Sequence, residues 1–188
     1  MALPITAGNG KHGKMSISKK YLLIRADASH RIGVGHVMRC LALAQAWQDV
    51  GGEAAFVCHA LPALLKDRLT SEGIAIIQSA GTTGSSEDAT HFLATARDHH
   101  ETAIVVDGYH FDQVYHDTIS THDGISLWID DYGQIKRYAT SLVLNQNIGA
   151  NASQYPIRTD STHLLLGDRF ALIRREFTQQ ADRLARNL

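Results

Sequence analysis

A proton-transfer group and an anion seat coincide in one short stretch, Gly33-Val34-Gly35-His36. Gly33 and Gly35 can take positive φ and let a ligand approach the backbone closely, and a helix is expected to begin directly after them. The free N–H groups of that helix and the positive end of its dipole form a seat for a phosphate or carboxylate. The same dipole disfavours imidazolium, which suits His36, in the first turn, to accepting a proton. On the residues alone, a histidine that merely caps the helix and packs stands level with that reading.

Further polar groups fall at the carboxyl ends of the apolar runs, the rim where ligands bind in an open parallel sheet. They are Arg25, Asp27 and Ser29 after the first run, Asp107, Gly108 and Tyr109 after the fourth, Asp130 and Asp131 after the fifth, and Asn145, Gln146 and Asn147 after the sixth. The opposite rim shows no comparable set. GVGHVM half-matches a dinucleotide fingerprint, but Met38 occupies the third glycine position and Glu53 falls at the start of the second run rather than its end, so that reading is weak. His99-His100 are adjacent, and His110, His116 and His122 recur every six residues, which scatters them around a helix as solvated surface groups. Asp130-Asp131 reads better as a cap of the following turn than as a Mg²⁺ site, and no metal or cofactor is expected. Cys40 and Cys58 sit in apolar stretches and read as buried thiols, too few for a disulfide framework.

The elements that must position these groups alternate. Strands are expected at 21–25, 54–58, 74–77, 103–106, 126–129, 142–144 and 163–166, short and continuously apolar as strands covered on both faces should be. Helices are expected at 36–50, with Val37, Leu41, Ala44 and Trp47 on one stripe and Gly51-Gly52 closing it, and at 62–71, 86–99 and 112–121. Loops are expected at 81–86 and 149–159. The fold class is therefore α/β, a doubly wound, mostly parallel, Rossmann-like sheet with right-handed crossovers. The 188 residues suffice for one well-buried domain, placed at 20–175 after a tail at 1–19 that lacks a signal-peptide core. A net charge of −1 gives no field to recruit nucleic acid, and no apolar run reaches the roughly 20 residues of a membrane span. A cytoplasmic location is expected.

Four segments carry a family resemblance. IRADASHRIGVGHVMRCLALAQAW (24–47), VVDGYHFD (105–112), WIDDYGQIKRYATSLVLNQN (128–147) and LLLGDRFALIRREF (164–177) resemble the UDP-2,4-diacetamido-2,4,6-trideoxy-β-L-altropyranose hydrolases of pseudaminic acid biosynthesis, relatives of spore-coat polysaccharide proteins. The first motif is long and highly specific, the others moderately so. The resemblance implies the N-terminal domain of a GT-B type fold, in which two Rossmann-like domains face a cleft. It implies that His36 matches the family's catalytic histidine, taking a proton from the water that attacks the anomeric carbon while UDP leaves from the opposite face with inversion. It also implies that Gly33, Val34 and Gly35 cradle part of the substrate and that Asp27, Tyr109 and Asn147 orient the sugar or His36. No metal is implied.

In such enzymes a second domain supplies most of the uridine and diphosphate contacts. A closing helix at 176–188 places Phe177, Ala181, Leu184 and Leu188 on one face, and it would lead to that second domain or to a second chain completing the site. Two other functions fit the same residues: a GT-B type glycosyltransferase that needs an acceptor, and a non-catalytic interaction module that docks partners through the closing helix.

Overall fold

The computed structural model describes residues 20–99 and 101–185. The expected tail at 1–19 and Leu188 lie outside them, as do the side chains of Ala181 and Leu184. Among the described residues seven strands form a single sheet: β1 (Tyr21–Ala26), β2 (Glu53–Cys58), β3 (Ala75–Gln78), β4 (Thr102–Asp107), β5 (Ser126–Ile129), β6 (Leu142–Asn145) and β7 (His163–Leu166). Their order is β3-β2-β1-β4-β5-β6-β7 and every pairing is parallel. Among the described residues five α-helices pack with the sheet: α1 (Gly35–Asp49), α2 (Ala63–Ser71), α3 (Ser86–Arg97), α4 (Gln113–Ile119) and α5 (Arg175–Ala185). This is the α/β, Rossmann-like architecture that the alternation of runs predicts.

Period-2 alternation in the strands feeds two cores, one on each face of the sheet. Leu22, Ile24, Ala54 and Phe56 meet Val37, Cys40, Leu41 and Ala44 of α1 and Leu69 of α2. Leu23, Ala55, Val57, Ile104 and Val106 meet Ala89, Phe92 and Leu93 of α3 and Tyr115 and Ile119 of α4. Covering both faces explains why the strands read as unbroken apolar runs. Cys40 and Cys58 are both buried free thiols, as their apolar surroundings suggest.

Element ends differ from the sequence expectation by a residue or two. Pro62 and Asp112 stand just outside α2 and α4 as N-cap residues, and the Asp112 side chain accepts a hydrogen bond from Tyr115 N. One histidine departs from the surface reading: His116 is fully buried. Its ring stands edge-on to Trp128 at 4.9 Å and to Tyr138 at 5.8 Å, because the short α4 turns that face onto the core. No described helix is long and apolar enough to cross a membrane.

The order reverses between β1 and β4, whose chains leave the sheet toward opposite faces. The crevice beyond their carboxyl ends is the topological switch point of the sheet. Ala26 and Asp107 are register partners there.

Candidate active site

The loop after β1 is built to deliver α1 into that crevice. Ser29 Oγ accepts from the N–H groups of Arg31 and Ile32, and Gly33 N donates to Ser29 O at 2.8 Å. Gly33 closes the turn at φ +83°, a left-handed conformation that glycine adopts without strain. Gly35 departs from the expectation of positive φ: it is the first helical residue of α1. A Cβ on either glycine would meet no atom within 4 Å, so the backbone faces open space. Val34 precedes α1 without a side-chain cap, is half exposed, and no acidic residue lies in the first turn, so the positive end of the helix is left uncompensated.

His36 emerges from this first turn with only 6% of its surface exposed. Its surroundings are polar rather than hydrocarbon. Nδ1 lies 2.7 Å from Oδ1 of Asp107, the last residue of β4 and fully buried. The Tyr109 ring meets the imidazole edge-on, with centroids 4.6 Å apart at 81°. Among the described residues Nε2 makes no hydrogen bond.

One turn further along α1, Arg39 joins the cluster together. Nε donates to Asp107 Oδ2 and Nη2 to Asp107 Oδ1, both at 2.6 Å, while Nη1 donates to both oxygens of Asp131 at 3.0 and 2.8 Å. Burial pushes the Asp107 carboxyl up, but the hydrogen bonds from Arg39 and His36 outweigh it and hold Asp107 below the usual carboxylate range. Burial disfavours the Arg39 charge, and the two carboxylates more than restore it, raising its proton affinity further. Asp107 is therefore an ionised acceptor, and the proton between it and His36 belongs to Nδ1. In the uncharged form of the ring the lone pair is then on Nε2.

Tyr109 and Asn147 converge on the same cluster through Asp131. The Tyr109 hydroxyl donates to Asp131 Oδ2 at 2.7 Å and Asn147 Nδ2 to Asp131 Oδ1 at 3.1 Å. Burial and the neighbouring Asp131 both push the Tyr109 phenol up, so it remains a protonated donor. Asn147 is aimed in turn by Asn145, whose Oδ1 accepts from Asn147 N at 3.0 Å. Asp130 caps the turn after β5, accepting from the N–H groups of Tyr132, Gly133 and Gln134.

Asp27 is held elsewhere. Oδ1 accepts from His59 N at 2.6 Å and Ala60 N at 3.0 Å, tying the end of β1 to the loop after β2. Oδ2 lies 2.8 Å from Arg25 Nη1 and 3.4 Å from His110 Nε2, ionic contacts whose directions are poor for hydrogen bonding. Burial raises this carboxyl, but His110, Arg25 and Ala60 together bring it down to about 2. Arg25 in turn grips Asp88 of α3 with Nε and Nη2 at 2.9 and 2.8 Å. His36, Tyr109, Asn147 and the Gly33–Val34–Gly35 turn are thus brought to one crevice, while Asp27 stands in a separate buried ion network.

The sequence pattern puts Asp107 on this rim without a task and gives Asp131, with Asp130, the cap of the following turn; Asp130 fills that cap, while Asp131 holds Arg39, a residue the pattern does not single out. The available signal was spacing: Arg39 follows His36 by three residues, which sets both side chains on one face of α1.

In comparison with known proteins, the chain is 29% identical over 165 residues to the UDP-2,4-diacetamido-2,4,6-trideoxy-beta-L-altropyranose hydrolase of Campylobacter jejuni subsp. jejuni serotype O:2, covering 85% of this chain and 54% of that protein. This agrees with the resemblance carried by the motifs. The chain spans about half the length of that curated relative. No family model matches the chain, and no solved structure matches it.

Proposed function

We propose that this chain is the part of a UDP-sugar hydrolase that carries the general base, His36, and that it forms the N-terminal domain of a GT-B type fold. Its substrate is a UDP-linked 2,4-diacetamido-2,4,6-trideoxy sugar, hydrolysed in pseudaminic acid-type surface-glycan biosynthesis. One observation carries the reading: at the switch point of the sheet, His36 Nδ1 lies 2.7 Å from the buried Asp107 carboxylate, which leaves Nε2 as the nitrogen to meet a water.

In this reaction Nε2 takes a proton from water as the water oxygen bonds to the anomeric carbon. The bond from that carbon to the phosphate oxygen breaks, and UDP leaves with the electron pair from the opposite face, inverting the configuration. Asp107 keeps the ring in the required tautomer and stabilises the imidazolium that forms. Asn147 Nδ2, with one N–H on Asp131, keeps a second N–H for a sugar oxygen, and the Tyr109 oxygen, whose proton lies on Asp131, can accept from a sugar hydroxyl. The backbone at Gly33, Val34 and Gly35, with the uncapped end of α1, favours a negatively charged group of the substrate. A second domain or chain contributes the remaining nucleotide contacts and closes the cleft.

The reading is supported by the similarity to the Campylobacter hydrolase together with the geometry of the His36 cluster. It is tested by incubating the full-length protein with the UDP-sugar in the absence of any acceptor. Free sugar and UDP should appear in equal amounts, with the inverted anomer detected first by proton NMR. A strict requirement for an acceptor would instead assign a glycosyltransferase, and no turnover at all an interaction module.

A further inference from the structure

We propose that Arg39 is the positioning residue of this site and that its charge decides which nitrogen of His36 carries the proton. The inference rests on the hydrolase reading for its significance, but the property it concerns belongs to the chain without substrate.

Asp107 is fully buried at the end of β4, where an ionised carboxylate needs compensation from close by. Arg39 gives it, with one guanidinium N–H on each oxygen at 2.6 Å. The remaining donors at this carboxylate are His36 Nδ1 at 2.7 Å and the weak Cys40 thiol at 3.4 Å. The guanidinium never deprotonates and carries no acceptor, so it holds Asp107 in the acceptor-only state. Only that state requires a proton on Nδ1. With the charge removed, only the neutral donors His36 and Cys40 are left to oppose burial, and Asp107 takes up a proton of its own. The carboxylic acid then donates to Nδ1, the ring proton moves to Nε2, and the nitrogen facing the crevice can no longer accept one.

Arg39 also has an architectural contact, since Nη1 ties α1 to Asp131 beyond β5. The two roles differ in what they do to the ring. Loss of a tie loosens the crevice but leaves the tautomer where Asp107 sets it.

The test is long-range ¹⁵N–¹H NMR of the histidine-labelled chain at about pH 7, with His36 assigned by its loss in His36→Asn. Wild type should show a protonated Nδ1 and a bare Nε2. Arg39→Met and Arg39→Gln should move the proton to Nε2, and Arg39→Lys, which returns a positive charge to Asp107, should restore it to Nδ1. Gln keeps hydrogen-bonding capacity toward Asp107, so it maintains the fold should Met not do so. In the full-length protein the neutral variants should lose on the order of 10³-fold or more in kcat with KM little changed, the cost expected of a wrong tautomer. A protonated Nε2 in wild type, or an Nδ1 proton that persists in a folded neutral variant, would overturn the proposal. Either result stands whether or not the protein hydrolyses a UDP-sugar, so this failure is distinct from failure of the functional reading.

Discussion

Lowering the pH from 7 to 4 should cost the folded chain stability through a single buried ring, that of His116. Burial drives its pKa from the ordinary 6.5 to about 4; Asp117, 3.7 Å from Nδ1, and Asp130 oppose the shift, while Arg137 adds to it. The neutral ring is used by the fold, since Nε2 accepts from Ala139 N at 3.4 Å. The folded state thus binds this proton less readily than the unfolded chain. Its full contribution is present above pH 6.5, falls as the pH drops, and is lost near pH 4. The gap between the folded and unfolded rings corresponds to about 3 kcal/mol, most of it already lost at pH 4.5. Asp27, lowered to about 2, adds its own acid sensitivity only below about pH 4, so the windows separate. Urea unfolding at pH 7.5, 6.0, 5.0 and 4.5 should show the loss in wild type, and His116→Phe, which retains a ring against Trp128, should remove most of it. Parallel pH dependence in the two proteins would refute the reasoning.

Other residues offer independent checks. Asp88→Ala should destabilise the fold by about 3–5 kcal/mol in chemical denaturation, because Arg25 is left charged and fully buried without its main partner; a loss under about 1 kcal/mol would contradict this. Burial pushes the Cys58 thiol up to about 12 and Cys40 well above its usual value, so neither should react with an aromatic disulfide reagent at pH 7.5 until the chain unfolds; labelling within minutes would show that the core opens. Gly33→Ala should cost about 1 kcal/mol for its left-handed backbone, whereas Gly35→Ala, at a helical position with open space, should be neutral or stabilising, and equal losses would reject the turn geometry.

The sheet was legible in the sequence because strands covered on both faces must be apolar throughout, and runs such as Ile104 to Val106 admit few other uses. The rim followed from the same pattern, since polar groups begin where each run stops. What could not be read was lateral. Asp27 and Asp107 both follow a strand, yet Asp27 is claimed by backbone N–H groups beyond β2 and Asp107 by α1, a difference set by strand order. Arg39 was missed for a related reason: a lone arginine in an amphipathic helix normally faces water, and only the two carboxylates brought by β4 and the loop after β5 make it interior. His116 looked like one of several evenly spaced surface histidines, and its burial depends on how α4 packs against Trp128 and Tyr138.

The most direct measurement compares wild type with His36→Asn in the full-length protein, following UDP binding by calorimetry and UDP release from the UDP-sugar by chromatography. If the imidazole is the group that deprotonates water, nucleotide affinity should stay within a few-fold while turnover falls by on the order of 10²–10⁴-fold. Turnover close to wild type in that variant would remove His36 from the reaction and the account with it.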